Sequence, residues 1–172
     1  MKINTAVLLF SIFSFSLHAQ IAIGKQNING TQTILDFDDS SGNTSGIVLP
    51  ALTSRPVLTA NNNGTFILDK SDRIVKMYEN NTWKSLTDQG DITVVNSNNN
   101  TSSETSGKVI IGDETSTADG VLVLESANKA MILPKVANPH INVRNPYPGM
   151  MCYDTVSRSL AVYNGTKWSY WK

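Results

Sequence analysis

The chain is poor in the residues from which most catalytic and metal centres are built. Among 172 residues it has one cysteine, Cys152, and two histidines, His18 and His140. A single cysteine excludes an intramolecular disulfide, so stability has to come from burial, hydrogen bonding or assembly with other chains. Fourteen Lys and Arg balance fourteen Asp and Glu, and the basic residues are dispersed. Nucleic acid is therefore not expected as a partner, because affinity for it comes largely from clustered cations neutralising phosphates. Long apolar runs are missing beyond one near the start. No later stretch carries the period of an amphipathic helix.

That one run forms an address. Lys2 precedes the mostly apolar "AVLLFSIFSFSL", and "LHAQ" follows with a small residue at a cleavage point after Ala19 or Gln20. Charge, apolar core and small residue in that order predict a secretory signal peptide over residues 1–20. A spanning helix needs about 20 apolar residues, so no transmembrane segment is expected in the mature chain. The protein is expected to be exported, to the periplasm, the cell surface or the medium.

What the chain does have is a duplication. Residues 64–83, "GTFILDKSDRIVKMYENNTW", align without a gap to residues 149–168, "GMMCYDTVSRSLAVYNGTKW". Gly64, Asp69, Arg73, Tyr78 and Trp83 recur as Gly149, Asp154, Arg158, Tyr163 and Trp168. Upstream, "IAIG" matches "VIIG" and "GIVLP" matches "AMILP". Copy one is expected over residues 21–87 and copy two over 109–172. The Asn-, Ser- and Thr-rich residues 88–108 read as a polar linker holding one short strand-like piece, "ITVV".

Within each repeat the period is two. Val75 and Met77 match Leu160 and Val162, while Lys76 stands where Ala161 does. A strand is predicted, with the Lys76 position facing water in copy one. "TFILD" and "MMCYD" are continuously apolar up to the Asp, as in strands buried on both faces. Asp69 and Asp154 open loops of the kind that join hairpin strands. Asn164-Gly165 predicts a tight primed turn into a third strand, and Asn80-Asn81 a less marked version of it. The fold class is mainly β: two duplicated small hairpin or meander modules, completed by oligomerisation.

The order of an apolar strand ending in "LP", then Pro and Gly, an apolar strand, Asp, a turn, a strand ending in Tyr, "NGT" and Trp resembles a repeat of secreted and cell-surface proteins of Bacteroidota. It is also similar to hairpins in phage tail-fibre modules. The resemblance implies an envelope or extracellular role without catalysis and, for the fibre relatives, a trimer. Prolines interrupt "ALTSRPVLTANNNG" and "KVANPHINVRNPYPG", where such repeats often carry a helix. Asp154-Thr155-Val156 resembles the three-residue O-glycosylation site of Bacteroidota, which makes Thr155 a candidate for modification.

Few residues are left as candidates for chemistry. A Cys152–His140 pair is the one nucleophilic option, yet Cys152 aligns with Ile67, an apolar strand residue. It reads as a buried structural thiol, and His140 as a loop or strand-edge residue. In "LDFDDSSGN", Asp36, Asp38 and Ser40 alternate like calcium ligands, but the glycine comes one place late and no Glu closes the loop. A solvated turn is expected there, with no metal and no cofactor.

Aromatics offer more. Trp83 and Trp168, which recur, are expected in the core; Tyr163, Tyr170 and Trp171 are candidate contacts for a glycan or a protein partner. The function expected is a non-catalytic structural or adhesive module that works by homo-oligomerisation, as a trimer, or by docking to an outer-membrane or envelope protein. The alternative is a secreted carbohydrate-binding or glycan-degrading protein with its carboxylates among Asp36, Asp69 and Asp154.

Overall fold

The computed structural model describes residues 20–95, 109–118 and 120–172. The expected signal peptide lies outside the described residues except for Gln20, as does the linker beyond residue 95. Copy one contributes β1 (Ile21–Ile23), β2 (Thr33–Phe37), β3 (Ile47–Val48), β4 (Ala51–Leu52), a 3-10 turn at Ala60–Asn62, β5 (Phe66–Asp69), β6 (Ile74–Glu79) and β7 (Thr82–Ser85). Copy two contributes β8 (Val109–Ile111), β9 (Leu122–Leu124), β10 (Ala130–Ile132), β11 (Lys135–Val136), α1 (Pro139–Asn142), β12 (Met150–Asp154), β13 (Ser159–Tyr163) and β14 (Trp168–Trp171). The protein is mainly β, and its strands fall into several small sheets.

Both copies of the repeated stretch fold into the same meander. β5, β6 and β7 pair antiparallel in sequence, as do β12, β13 and β14. The prolines act as strand boundaries with a use. Pro50 and Pro134 lack an N–H, but their carbonyls accept from Leu68 N–H and Tyr153 N–H, both at 2.9 Å. This starts a short parallel strand, β4 or β11, beside each meander.

The five recurring residues all have structural work. Gly64 and Gly149 have φ of 90° and 86°, a region that glycine enters without steric cost. Each donates its N–H at 2.8 Å to the carbonyl of the recurring Tyr. Asp69 and Asp154 accept from the amides of Ser71 and Val156 at 2.9 and 3.0 Å. Arg73 and Arg158 end the four-residue loops with left-handed φ of 62° and 55°. Tyr78 packs on Trp83, and Tyr163 on Trp168, with ring centroids 5.2 and 5.3 Å apart.

The copies are also woven together. β10 of copy two adds in parallel to β2 of copy one, so that one sheet runs β1-β2-β10. In return β3 of copy one adds antiparallel to β12 of copy two, with Val48 opposite Met150 and Ile47 opposite Met151. The largest core cluster draws on both meanders, with Leu68 and Val75 against Met151 and Val162. A second cluster, of Ile34, Leu35 and Ile111, joins the β1-β2-β10 and β8-β9 sheets.

Four sequence expectations need correction. Lys76 does not face water: it is 6% exposed, on the face of β6 where Tyr78 Oη donates to Leu58 O at 2.8 Å and the segment before β5 lies. Its stem is buried while its ammonium reaches Asp72, and Asp69 at 3.8 Å, as long cationic side chains do when only the tip can stay polar. The primed turn belongs to the other copy. Asn80 and Asn81 have φ of 49° and 58° between the paired Glu79 and Thr82, whereas "NGTK" forms a four-residue loop between Tyr163 and Trp168. "ITVV" is not a strand; Val95 lies in the large core cluster and Ile92 packs against it. His140 sits in the single turn of α1.

The exception at "NGTK" has a packing cause. Asn164 is fully buried. Its Oδ1 accepts from the amides of Thr166 and Lys167, both at 2.9 Å, and its Nδ2 donates to Asp88 O at 3.0 Å. A Cβ on Gly165 would stand 1.6 Å from Asp91 O, and one on Gly90 would stand 1.7 Å from Asn164 O. The chain after β7 therefore clasps this loop by backbone contact.

Candidate assembly interface

Carboxylates are the first test of a catalytic reading. Asp69 and Asp154 occupy the same place in two hairpins, where each caps its own turn. Burial opposes their ionisation, but hydrogen bonds outweigh it. Ser71 and the charges of Lys76 and Arg55 hold Asp69 below the usual range, while Ser157 and the amides of Val156 and Asn138 do so for Asp154. A general acid in glycoside hydrolysis needs the opposite shift.

Asp36 is fully buried, at 3.0 Å from Lys25 Nζ, and it accepts from Asn29 N–H at 2.7 Å. Lys25 Nζ also lies 3.0 Å from Asp39. Asp38 caps the amide of Ser40 at 2.9 Å. The acidic stretch thus closes on a lysine and on its own backbone.

The nucleophile reading fares no better. Cys152 is fully buried beside Val136 and Ala161, and that burial, with Asp154 adding to it, pushes its thiol up to about 12. His140 is exposed, and its Nδ1 lies 3.1 Å from Tyr170 Oη. Among the described residues no cluster of His, Cys, Asp and Glu could hold a metal, and no helix is long and apolar enough to cross a membrane.

The C-terminal aromatics divide. Tyr163 is half-buried against Trp168, which itself packs on the Cys152 cluster. Trp83 is half-buried against Tyr78. Tyr170 and Trp171 are exposed at 40% and 47%, but neither is free. Tyr170 meets His140, and the Trp171 indole N–H donates to Leu86 O at 2.7 Å, tying the end of copy two to copy one. Thr155 is exposed at the tip of the β12–β13 hairpin.

The two meanders bury their equivalent apolar faces differently, a difference that neither copy's residues signal alone. One face of the copy-one meander carries Phe66, Leu68, Val75 and Met77. The same face of copy two carries Met151, Tyr153, Leu160 and Val162. In copy one the half near the turn, Leu68 and Val75, is buried, while Phe66 and Met77 are half-buried. In copy two the far half, Met151 and Val162, is buried, while Tyr153 and Leu160 are half-buried.

Edges show the same imbalance. β12 carries both β11 and β3 along one side, whereas β5 carries β4 alone among the described strands. Gly149 is buried, with Leu68 Cβ 3.3 Å from where its own Cβ would be; Gly64 is exposed and would meet nothing within 4 Å. β2 lies between two strands, but β9 pairs only with β8 among the described strands. Val121 and Leu122 beside that bare edge are 67% and 47% exposed.

No curated protein and no solved structure matches the chain. Residues 110–172 match the family model described as a phage tail like trimerisation region, a stretch that takes in copy two from within β8 through β14.

Proposed function

We propose that this protein is a non-catalytic, fibre-like structural module that works as a homotrimer. The observation that carries the reading is the match of residues 110–172 to a trimerisation region. The half-covered meander faces and bare strand edges support it, because a small sheet with an open apolar face is stabilised by a second layer. The carboxylates argue in the same direction, being held as turn caps and ion pairs. Light scattering on the mature chain tests the proposal. Three protomers per particle are expected; a monomer at micromolar concentration would overturn it.

The finer parts of the reading rest on sequence. The signal-like residues 1–20 support export, which fractionation of expressing cells checks by finding the chain outside the cytoplasm. The resemblance to surface repeats supports an envelope setting, with Tyr163, Tyr170 and Trp171 as the contacts for an outer partner and Thr155 as an accessible acceptor for a glycan. Replacing Trp171 by Ala and measuring recovery of envelope proteins with the chain checks the first. Unchanged recovery would remove the aromatic contact, and an unmodified 149–168 peptide by mass spectrometry would remove the glycan.

A further inference from the structure

We infer that the protomers join head to tail, copy two of one chain onto copy one of the next, by the same strand exchange that joins the two copies within a chain. The inference rests on the trimer reading and specifies its interface. Inside one chain, copy one lends β3 to the edge of β12, and copy two lends β10 to the edge of β2. The repeat gives each of these strands an equivalent. β10 stands where β3 does, since both precede the "LP" of their copy, and β5 stands where β12 does. The outer edge of β5 carries β4 at Leu68 and Asp69 but is bare at Thr65 and Phe66 among the described strands, and β10 ends its sheet with one side unpaired.

Each strand therefore shows one half of a two-sided role. β3 uses the side that meets a meander, and β10 uses the side that meets a β2-type strand. If β10 of one chain lies on β5 of the next, the first role is filled for β10 as it already is for β3. Ile132 then stands opposite Thr65, as Val48 stands opposite Met150. The amide of Leu133 meets the carbonyl of Gly64, as Leu49 N–H meets Gly149 O at 3.1 Å. Reciprocally, β3 of the next chain comes beside the bare edge of β9 and covers the exposed Val48 and Leu122 together.

The meander faces fit the same step. Within the chain, the near half of the copy-one face packs on the far half of the copy-two face. What remains half-covered is the far half of copy one, Phe66 and Met77, and the near half of copy two, Tyr153 and Leu160. Those are the surfaces that meet when copy two of one protomer abuts copy one of the next. Such a contact is heterologous, so it closes into a ring or runs on as a filament according to its rotation. Closure at three gives six meanders in alternation around one axis.

A disulfide trap tests this. Residues directly opposite each other in a non-hydrogen-bonded antiparallel pair have Cα atoms about 4.5 Å apart, within disulfide range. The full-length chain carrying Thr65→Cys and Ile132→Cys is oxidised and run under denaturing conditions without reductant. A ladder of one, two and three chains that stops at three is expected, with no ladder from either single variant or the unaltered chain. Particles of three chains by light scattering that form no interchain disulfide would overturn this interface and leave the trimer standing. A ladder that continues past three would overturn the closed ring, and a monomer throughout would overturn the trimer itself.

A second variant reads the faces. Met77→Lys is expected to give folded monomers, with strand content unchanged by circular dichroism. Trimers of undiminished stability would overturn the inference.

Discussion

Two meanders share five residues, a turn and a strand order, yet they differ in almost everything that surrounds them. Copy one turns into its third strand through Asn80-Asn81 in two residues. Copy two takes four and buries Asn164 in doing so. Copy one holds Lys76 where copy two holds Ala161, and the burial of their apolar faces is inverted end for end. The repeated residues specify local geometry: a positive φ, a capped turn, a ring packed at an angle against a ring. The differences record which neighbour each copy meets.

The largest test of that difference is Gly165→Ala. Its Cβ would fall 1.6 Å from Asp91 O, and backbone cannot move aside as a flexible side chain does. A loss of about 3 kcal/mol or more is expected from such overpacking at a left-handed position. Asn81→Ala, in the exposed turn of copy one at φ 58°, should cost only about 1 kcal/mol. Urea unfolding of the two variants measures both, and equal losses would show that the clasp after β7 contributes nothing.

Next comes core against half-core. Val162→Ala removes two buried methyl groups at a site of zero exposure and should cost about 2 kcal/mol by the usual transfer and cavity terms. Met77→Ala, at the equivalent position, should cost a dissociated protomer less and the assembled particle more. Unfolding curves on either side of the dissociation concentration separate the two. The same loss in both states would contradict the arrangement of the faces.

Charge sharpens the comparison further. Lys76→Met removes one partner of a buried ion pair and leaves its carboxylates behind, so a loss of about 2 kcal/mol is expected, moderated because Arg55 still lies 3.0 Å from Asp69 and Asp72 is partly exposed. The pH dependence has a definite sign. Asp69 and Asp154 are both held below the ordinary aspartate value of 3.8. The unfolded chain therefore takes up protons first as pH falls, and their stabilisation, present above about pH 4, is lost below it. Asp69→Asn and Asp154→Asn should each flatten that acid limb in a series of melts. An unchanged limb would mean that neither turn cap is ionised in the way described.

The smallest expected effect is Trp171→Phe. It deletes one 2.7 Å hydrogen bond to Leu86 O while keeping the ring, at a cost of about 1 kcal/mol. A larger loss would mean that the C-terminal strand contributes more to joining the copies than that single bond.

The hairpins were legible because their signals are local. Asp69, Arg73, Tyr78 and their partners lie within twenty residues of one another and act on their own turn. Lys76 and Asn164 were misread for the opposite reason. Period two says which side a residue occupies, not whether that side is covered, and the side of Lys76 is the one on which Tyr78 meets the segment at Leu58. "NG" is a strong primed-turn signal only until Asp88 and Gly90 press on it. The exchange of β3 and β10 left no trace in either copy read alone. For the assembly site, the sequence marked the C-terminal aromatics, which the fold ties partly to its own backbone. The open edges at Gly64 and Leu122 emerge only when two equivalent places are seen in different surroundings.

The exchange of β3 also sets an order of events. Val48 finds Met150 about 100 residues later, and pairings that distant are slow because a long loop must close before any contact rewards it. Copy one can make its own meander as it emerges, but its β3 has nowhere to lie until β12 exists. A molecule cut short before β12 would keep Ile47 and Val48 without their strand partner. The arrival of β12 is the step that lets β3 take its place in the fold.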